Sequence, residues 1–124
     1  MIRRVISISV GLCAFTSAFS GLSATNSIVP GQNVLGRIET VAQTNYYEFL
    51  GVSNQVITAF LAESTLTAGH PMIALYDPDG NQIGSEAGNV YAGATLLERR
   101  LLQNGTYQLR IHDDGGNELF DYGL

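Results

Sequence analysis

Met72-Ile73-Ala74-Leu75-Tyr76-Asp77-Pro78-Asp79-Gly80-Asn81-Gln82-Ile83-Gly84-Ser85 sets a turn signal between two strand-like runs. Pro78 presets φ for the second position of a type I turn, and Gly80 accepts the left-handed conformation that follows such a turn. Short strand-like runs, Met72 to Tyr76 and Gln82 to Ser85, enter and leave it, which predicts a β-hairpin. Towards the N-terminus, Gln55 to Ala62 alternates Val56, Thr58, Phe60 and Ala62 with Ile57, Ala59 and Leu61. Both of its faces are largely apolar, which predicts a central strand. Val34 to Thr40 and Tyr46 to Leu50 precede it, separated from it by the turn Gly51-Val52-Ser53-Asn54, and Thr25 to Asn33 reads as a polar lead. Towards the C-terminus, Thr106 to His112 puts Tyr107, Leu109 and Ile111 on one face and Gln108, Arg110 and His112 on the other, a strand with one wet side. Gly93 to Leu101 reads as a strand, although Leu96, Leu97, Leu101 and Leu102 also fit a short amphipathic helix. Glu118 to Leu124 begins one more strand, which ends abruptly. Phe49, Phe60 and Tyr107 are assigned to the core. Seven or eight short strands at this spacing predict an all-β fold, an antiparallel β-sandwich of jelly-roll-like topology.

The composition fits that class, with fourteen glycines and with Val, Ile, Thr, Tyr and Phe gathered in short runs. Arg3 and Arg4, an apolar run from Val5 to Phe15 and small residues beyond it follow the plan of a secretory signal peptide. That run is shorter than the ~20 apolar residues of a membrane-spanning helix. Small residues at Ala18 and Ser20, and again at Gly21 and Ser23, place the expected cleavage after one of residues 20–24. One domain over 25–124, secreted or periplasmic, is then expected. Lipidation at Cys13 is disfavoured because Leu12 stands where a small residue should precede the modified cysteine. All six basic residues are arginines, against eleven acids, so losing Arg3 and Arg4 leaves four and a net charge of −7. Such a surface repels nucleic-acid phosphates and anionic lipid. Cleavage also removes the single cysteine, so a packed core or a bound ion must hold the domain together.

Catalysis needs a nucleophile or metal beside a positioned acid or base. The expected mature chain offers only His70, in the turn Gly69-His70-Pro71, and His112, on the outward face of its strand, and no serine sits in a Gly-x-Ser-x-Gly elbow. The chain therefore reads as a non-enzyme. Two histidines so far apart also lack the close ligand pairs of a zinc site. Calcium is the better metal candidate, since it takes hard oxygen ligands. Asp77 and Asp79, beside Asn81, form one candidate set, and Asp113, Asp114, Asn117 and Glu118 form the other. The first set is not an EF-hand, because its glycine falls two positions early and no glutamate occupies the twelfth position. Turn chemistry fully explains the first loop and is the favoured reading there, and a solvated acidic loop would explain the second. Tyr46, Tyr76 and Tyr91 fall on solvent faces or loops, where they would either anchor a protein or sugar partner or cover the sheet by cross-strand packing. Arg99 and Arg100 read as a solvated edge that discourages pairing between sheets.

Gly36-Arg37-Ile38, Tyr47-Glu48-Phe49, Leu75-Tyr76-Asp77-Pro78-Asp79-Gly80-Asn81 and Asn104-Gly105-Thr106-Tyr107, in this order and spacing, resemble the bacterial pre-peptidase C-terminal domain family from about Gly31 onward. The resemblance implies a β-sandwich appended to secreted bacterial enzymes, especially peptidases, where it assists export or attachment. Similar sandwiches in secreted collagenases bind matrix polymers, sometimes with calcium. Asn45 departs from the family, which commonly has an acidic residue there, and here no peptidase precedes the domain. The expected role is a non-catalytic exported accessory or binding module for a protein or an extracellular polymer. The alternatives are a detached or truncated domain with no ligand of its own, and a small hydrolase using His70 or His112.

Overall fold

A computed structural model describes residues 24–64, 69–88 and 94–124, so the expected signal segment and Tyr91 lie outside the described residues. Among the described residues, nine strands form two sheets. They are β1 (Thr25–Ser27), β2 (Leu35–Ile38), β3 (Thr44–Gly51), β4 (Val56–Glu63), β5 (Pro71–Tyr76), β6 (Gln82–Ala87), β7 (Ala94–Arg100), β8 (Gly105–Asp113) and β9 (Phe120–Gly123). One sheet has the order β1-β3-β8-β5-β6 and the other β2-β9-β4-β7. Every pairing is antiparallel except that of β1 with β3. The fold is a β-sandwich.

All eight runs read from the sequence contain strands, and the ninth, β1, lies in what reads as a polar lead. Its three residues are all exposed, and it joins the sheet through backbone pairing of Thr25, Asn26 and Ser27 with Tyr46, Tyr47 and Glu48. No side-chain pattern marks such a strand. The ambiguous segment resolves as a strand in which Thr95 and Leu97, two residues apart, are both buried, with Leu101 buried just beyond its end.

The two inner faces meet in one core that includes Ile38, Tyr47, Phe49, Ile57, Leu61, Ile73, Leu75, Leu97, Tyr107, Leu109, Ile111, Phe120 and Tyr122. Phe49 and Tyr107 stack there at 5.7 Å between ring centroids. The expectation for Phe60 is corrected, since it is 57% exposed. β4 does lie between β9 and β7, but a two-layer sandwich buries only the face carrying Ile57, Ala59 and Leu61.

The hairpin closes as its residues dictate. Gly80 takes φ +86°, its N–H donates to the Asp77 carbonyl at 3.0 Å, and Asp77 Oδ1 accepts the N–H groups of Asp79 (3.0 Å) and Asn81 (2.8 Å). Arg99 does more than blunt an edge. It reaches from β7 across to β6, approaching Glu86 at 3.4 Å and the Ile83 carbonyl at 3.4 Å, and closes one side of the sandwich. Arg100 is exposed.

Asn45 sits at the centre of a polar cluster that runs from the surface to the buried hydroxyls of Tyr47 and Tyr122. Its Nδ2 donates to the Tyr122 hydroxyl at 2.7 Å and to the Arg37 carbonyl at 2.8 Å, its Oδ1 accepts from Gln43 Nε2 at 2.7 Å, and the Tyr122 and Tyr47 hydroxyls share a bond of 2.8 Å. Burial pushes the Tyr122 phenol well above its ordinary range, and the bond with Tyr47 adds to the rise. The Tyr122 ring lies against Gly36, where an added Cβ would meet ring atom Cε2 at 2.7 Å. The glycine of Gly36-Arg37-Ile38 is therefore a packing requirement.

Candidate functional site: a tyrosine and arginine sheet face

The outer face of the five-stranded sheet is assembled by register. Tyr46 on β3 is directly opposite Arg110 on β8, while on the other side Arg110 is opposite Ala74 of β5, with Tyr76 one pair further along, opposite Gln108. The small Ala74 leaves the guanidinium free to lie against Tyr76. Its central carbon is 3.6 Å from the Tyr76 ring centroid and 5.5 Å from that of Tyr46. Such stacking is worth ~0.5–1 kcal/mol where water has access.

Hydrogen bonds fix the arrangement. Arg110 Nε donates to Gln108 Oε1 at 2.8 Å, Gln108 Nε2 donates to Glu48 Oε1 at 3.3 Å, and the Tyr76 hydroxyl donates to Gln82 Oε1 at 2.9 Å. Among the described residues, the ion pairs are those of Arg37 with Asp121 and Arg99 with Glu86, and no carboxylate pairs with Arg110. Among the described residues, the hydrogen bond of its guanidinium is the one from Nε. Two of the three expected tyrosines thus come together, and the residue between them was not singled out by sequence. Alternation alone puts Arg110 on the wet face, but only the cross-strand register shows what flanks it.

The acidic loops serve other ends. Asp113 is 3% exposed. Its carboxylate accepts the backbone N–H groups of His70 (2.9 Å), Asn117 (3.0 Å) and Glu118 (3.2 Å), tying the start of β5 to the loop after β8. Burial works to raise its pKa, but the three N–H donors and the nearby His70 outweigh it, and the pKa is lowered. Asp114 N–H donates to the His70 carbonyl at 2.9 Å, and Asn117 Nδ2 donates to Glu118 Oε1 at 3.1 Å. Asp77 is held below its ordinary value first by the Asn81 backbone N–H.

The two loops flank opposite ends of β5, since Pro71 pairs with Asp113 and Asp77 follows Tyr76, a strand length of roughly 20 Å. They supply no common ligand set. Among the described residues, no three acidic or histidine side chains converge on a metal position. The carboxylates of Asp77 and Asp113 already accept backbone N–H groups, with which a calcium ion bound there would compete. Neither histidine ring is hydrogen-bonded to a hydroxyl or carboxylate among the described residues, and His112 Nδ1 is buried without a partner.

In class, the molecule has the fold of the pre-peptidase C-terminal domains. No protein-family model and no curated protein matches the sequence, and the likeness is carried by structure. The pre-peptidase C-terminal domain of collagenase from Bacillus anthracis is similar with a TM-score of 0.64 and 16% identity, over 82% of this chain and 93% of that one. The periplasmic lysozyme inhibitor of g-type lysozyme from Aeromonas hydrophila is similar with a TM-score of 0.57 and 14% identity, over 80% of this chain and 90% of that one.

Proposed function

We propose that the chain is an exported, non-catalytic binding module that engages a protein partner through the face carrying Tyr46, Arg110 and Tyr76. The single observation that carries this reading is the arginine stacked on Tyr76 without a carboxylate partner. Tyrosine and arginine are the residue types enriched at interface hot spots. Hydrogen bonds from Arg110 to Gln108 and from Tyr76 to Gln82 already order these side chains, so less entropy is lost when a partner docks. The signal-like N-terminus supports export, and the fold supports an accessory role, because one similar structure is an appended domain and another inhibits a protein. The partner chemistry that fits is a surface carboxylate for the guanidinium, framed by apolar or sugar-like area for the rings.

The test is surface-immobilised binding of the purified protein against a panel of lysozymes, collagen, peptidoglycan and chitin, repeated with Arg110→Ala and Tyr76→Ala. Binding to one protein, weakened at least about tenfold by Arg110→Ala, is the expected result, in line with hot-spot losses of 2 kcal/mol or more. Binding to a polysaccharide alone would replace the protein partner with a polymer. Binding that ignores both substitutions would refute the assignment of this face.

A further inference from the structure

Three loops meet at one end of the sandwich: residues 52–55 between β3 and β4, 77–81 between β5 and β6, and 101–104 between β7 and β8, each bounded by strands on both sides. The pairing of Gly51 with Gly105 brings the first and third together, and hydrogen bonds join them. The Asn54 N–H donates to the Leu101 carbonyl (2.8 Å), the Leu101 N–H to the Gln55 carbonyl (2.8 Å), the Ser53 N–H to Asn104 Oδ1 (2.8 Å) and the Ser53 hydroxyl to the Leu102 carbonyl (3.1 Å). The second loop joins through Gln103 Nε2, which donates to Asp79 Oδ2 at 3.1 Å, and through Pro78, whose Cγ lies 2.6 Å from where a Cβ on Gly105 would fall. The polar side chains of Ser53, Asn104, Gln103 and Asp79 are thus turned to the loops themselves.

What projects from this end is aliphatic. Leu50, Val52 and Leu102 are 77%, 61% and 79% exposed. Leu50 pairs with Thr106 at the end of β3, and Val52 and Leu102 lie in the two loops that Ser53 ties together. In a chain with eleven acids and six arginines, no charged residue or histidine stands between Glu48 and Glu63 or between Arg100 and Arg110. The acids of this end are Asp77 and Asp79, both in the second loop, where Asp77 Oδ1 accepts the N–H groups of the turn.

We propose that this end enters the interface of a bilayer of zwitterionic phospholipid, with Leu50, Val52 and Leu102 at the level of the upper acyl chains and the acidic body of the domain in water. Leu and Val are under-represented among the hot spots of protein interfaces, whereas a bilayer takes up any protruding apolar group in proportion to its area. The N–H groups of Val52, Ser53, Asn54 and Gln55, which would go in with these side chains, already have partners within the loops, so they lose no unpaired bond on leaving water. Charge selects the lipid. A chain of net charge −5, with Asp77 and Asp79 at this end, is repelled by anionic headgroups, while an uncharged surface leaves the apolar contact unopposed. Three aliphatic side chains carry fewer carbons than a myristoyl chain, which alone binds membranes only marginally, so attachment is reversible and half-complete at a lipid concentration on the order of 1 mM. A partner of the Tyr46, Arg110 and Tyr76 face would dock on the flat of the sheet, whereas lipid meets the end of the sandwich, so either assignment can fail without the other.

The test is cosedimentation with sucrose-loaded phosphatidylcholine vesicles. It uses the protein as an exporting cell processes it, its mass checked for loss of the signal-like segment, whose apolar run would bind lipid on its own. Val52→Asp and Leu102→Asp are compared with Val41→Asp, a control at the opposite end, where Val41 is 64% exposed in the turn before β3. The expected result is binding half-complete at about 1 mM lipid, weakened about tenfold or more by Val52→Asp and by Leu102→Asp, unchanged in Val41→Asp, and reduced when a third of the lipid is phosphatidylglycerol. Thermal melts check that the variants fold. On the unaltered protein, vesicles should slow amide hydrogen exchange in 52–55 and 101–104 and not in 40–43, whatever the variants do. Absence of binding, an equal loss in Val41→Asp, protection away from the two loops, or binding that rises with phosphatidylglycerol would overturn the proposal. Dimerisation of the free protein that Leu102→Asp abolishes would overturn it too, in favour of a second copy.

Discussion

Replacing Asp113 by alanine should unfold the domain at a markedly lower temperature. The carboxylate is 3% exposed and accepts three backbone N–H groups, from His70 at 2.9 Å, Asn117 at 3.0 Å and Glu118 at 3.2 Å. Hydrogen bonds to an ionised group contribute ~1.5–3 kcal/mol each when counted singly, and a buried donor left unpaired costs ~1–3 kcal/mol. The three are not additive. Asn117 is exposed and Glu118 half-buried, so water recovers part of the loss at that end. A net loss of ~3 kcal/mol follows, and at ~4–8 °C per kcal/mol for a domain of this size the midpoint falls by roughly 10–25 °C. The assay is a thermal melt followed by circular dichroism at neutral pH, repeated downwards in pH. Because the pKa of Asp113 is lower folded than unfolded, its stabilisation is complete well above the unfolded value of 3.8 and disappears as the pH falls through the folded value. The gap between the wild-type and Asp113→Ala melts should therefore narrow as the pH falls below 3.8 through the folded value. An Asp113→Ala midpoint within about 3 °C of wild type at neutral pH would refute the reasoning, since ~3 kcal/mol cannot hide in so small a shift.

Adding calcium should leave the melting midpoint where a chelator leaves it, because the aspartate oxygens already serve N–H donors; a clear rise with calcium would restore the acidic loops as ligands. Gly36→Ala should cost ~1–3 kcal/mol by pressing a Cβ into the buried Tyr122 ring, read as a lower midpoint in the same melt. Tyr122→Phe should cost ~1–3 kcal/mol, since the Tyr47 hydroxyl loses its partner and the Asn45 amide one of its two acceptors, read in the same melt.

The alternation of residues around the hairpin, from Gln55 to Ala62 and from Thr106 to His112, was enough to give the class, because a half-buried strand must repeat with period two. Turn chemistry marked Asp77 to Asn81 for the same local reason, since Pro78 and Gly80 restrict the backbone wherever they occur. Phe60 shows the limit. An apolar residue on a strand with two apolar faces reads as core, yet whether a layer covers that face is a property of the stacking of sheets. β1 shows another, since three exposed polar residues form a strand only because β3 offers an edge.

The sites divide the same way. The local pattern read Tyr46 and Tyr76 as lying on solvent faces or loops, and both are half-buried. Which side chains face one another was decided by register. Arg110 reaches Tyr76 because β5 and β8 pair as they do, and the Asp113 oxygens receive N–H groups from residues as far apart in the chain as His70 and Glu118. Sequence determined the periodicities and the turns, which are local properties of the chain, and tertiary structure decided the partnerships, which depend on pairings between residues distant along it.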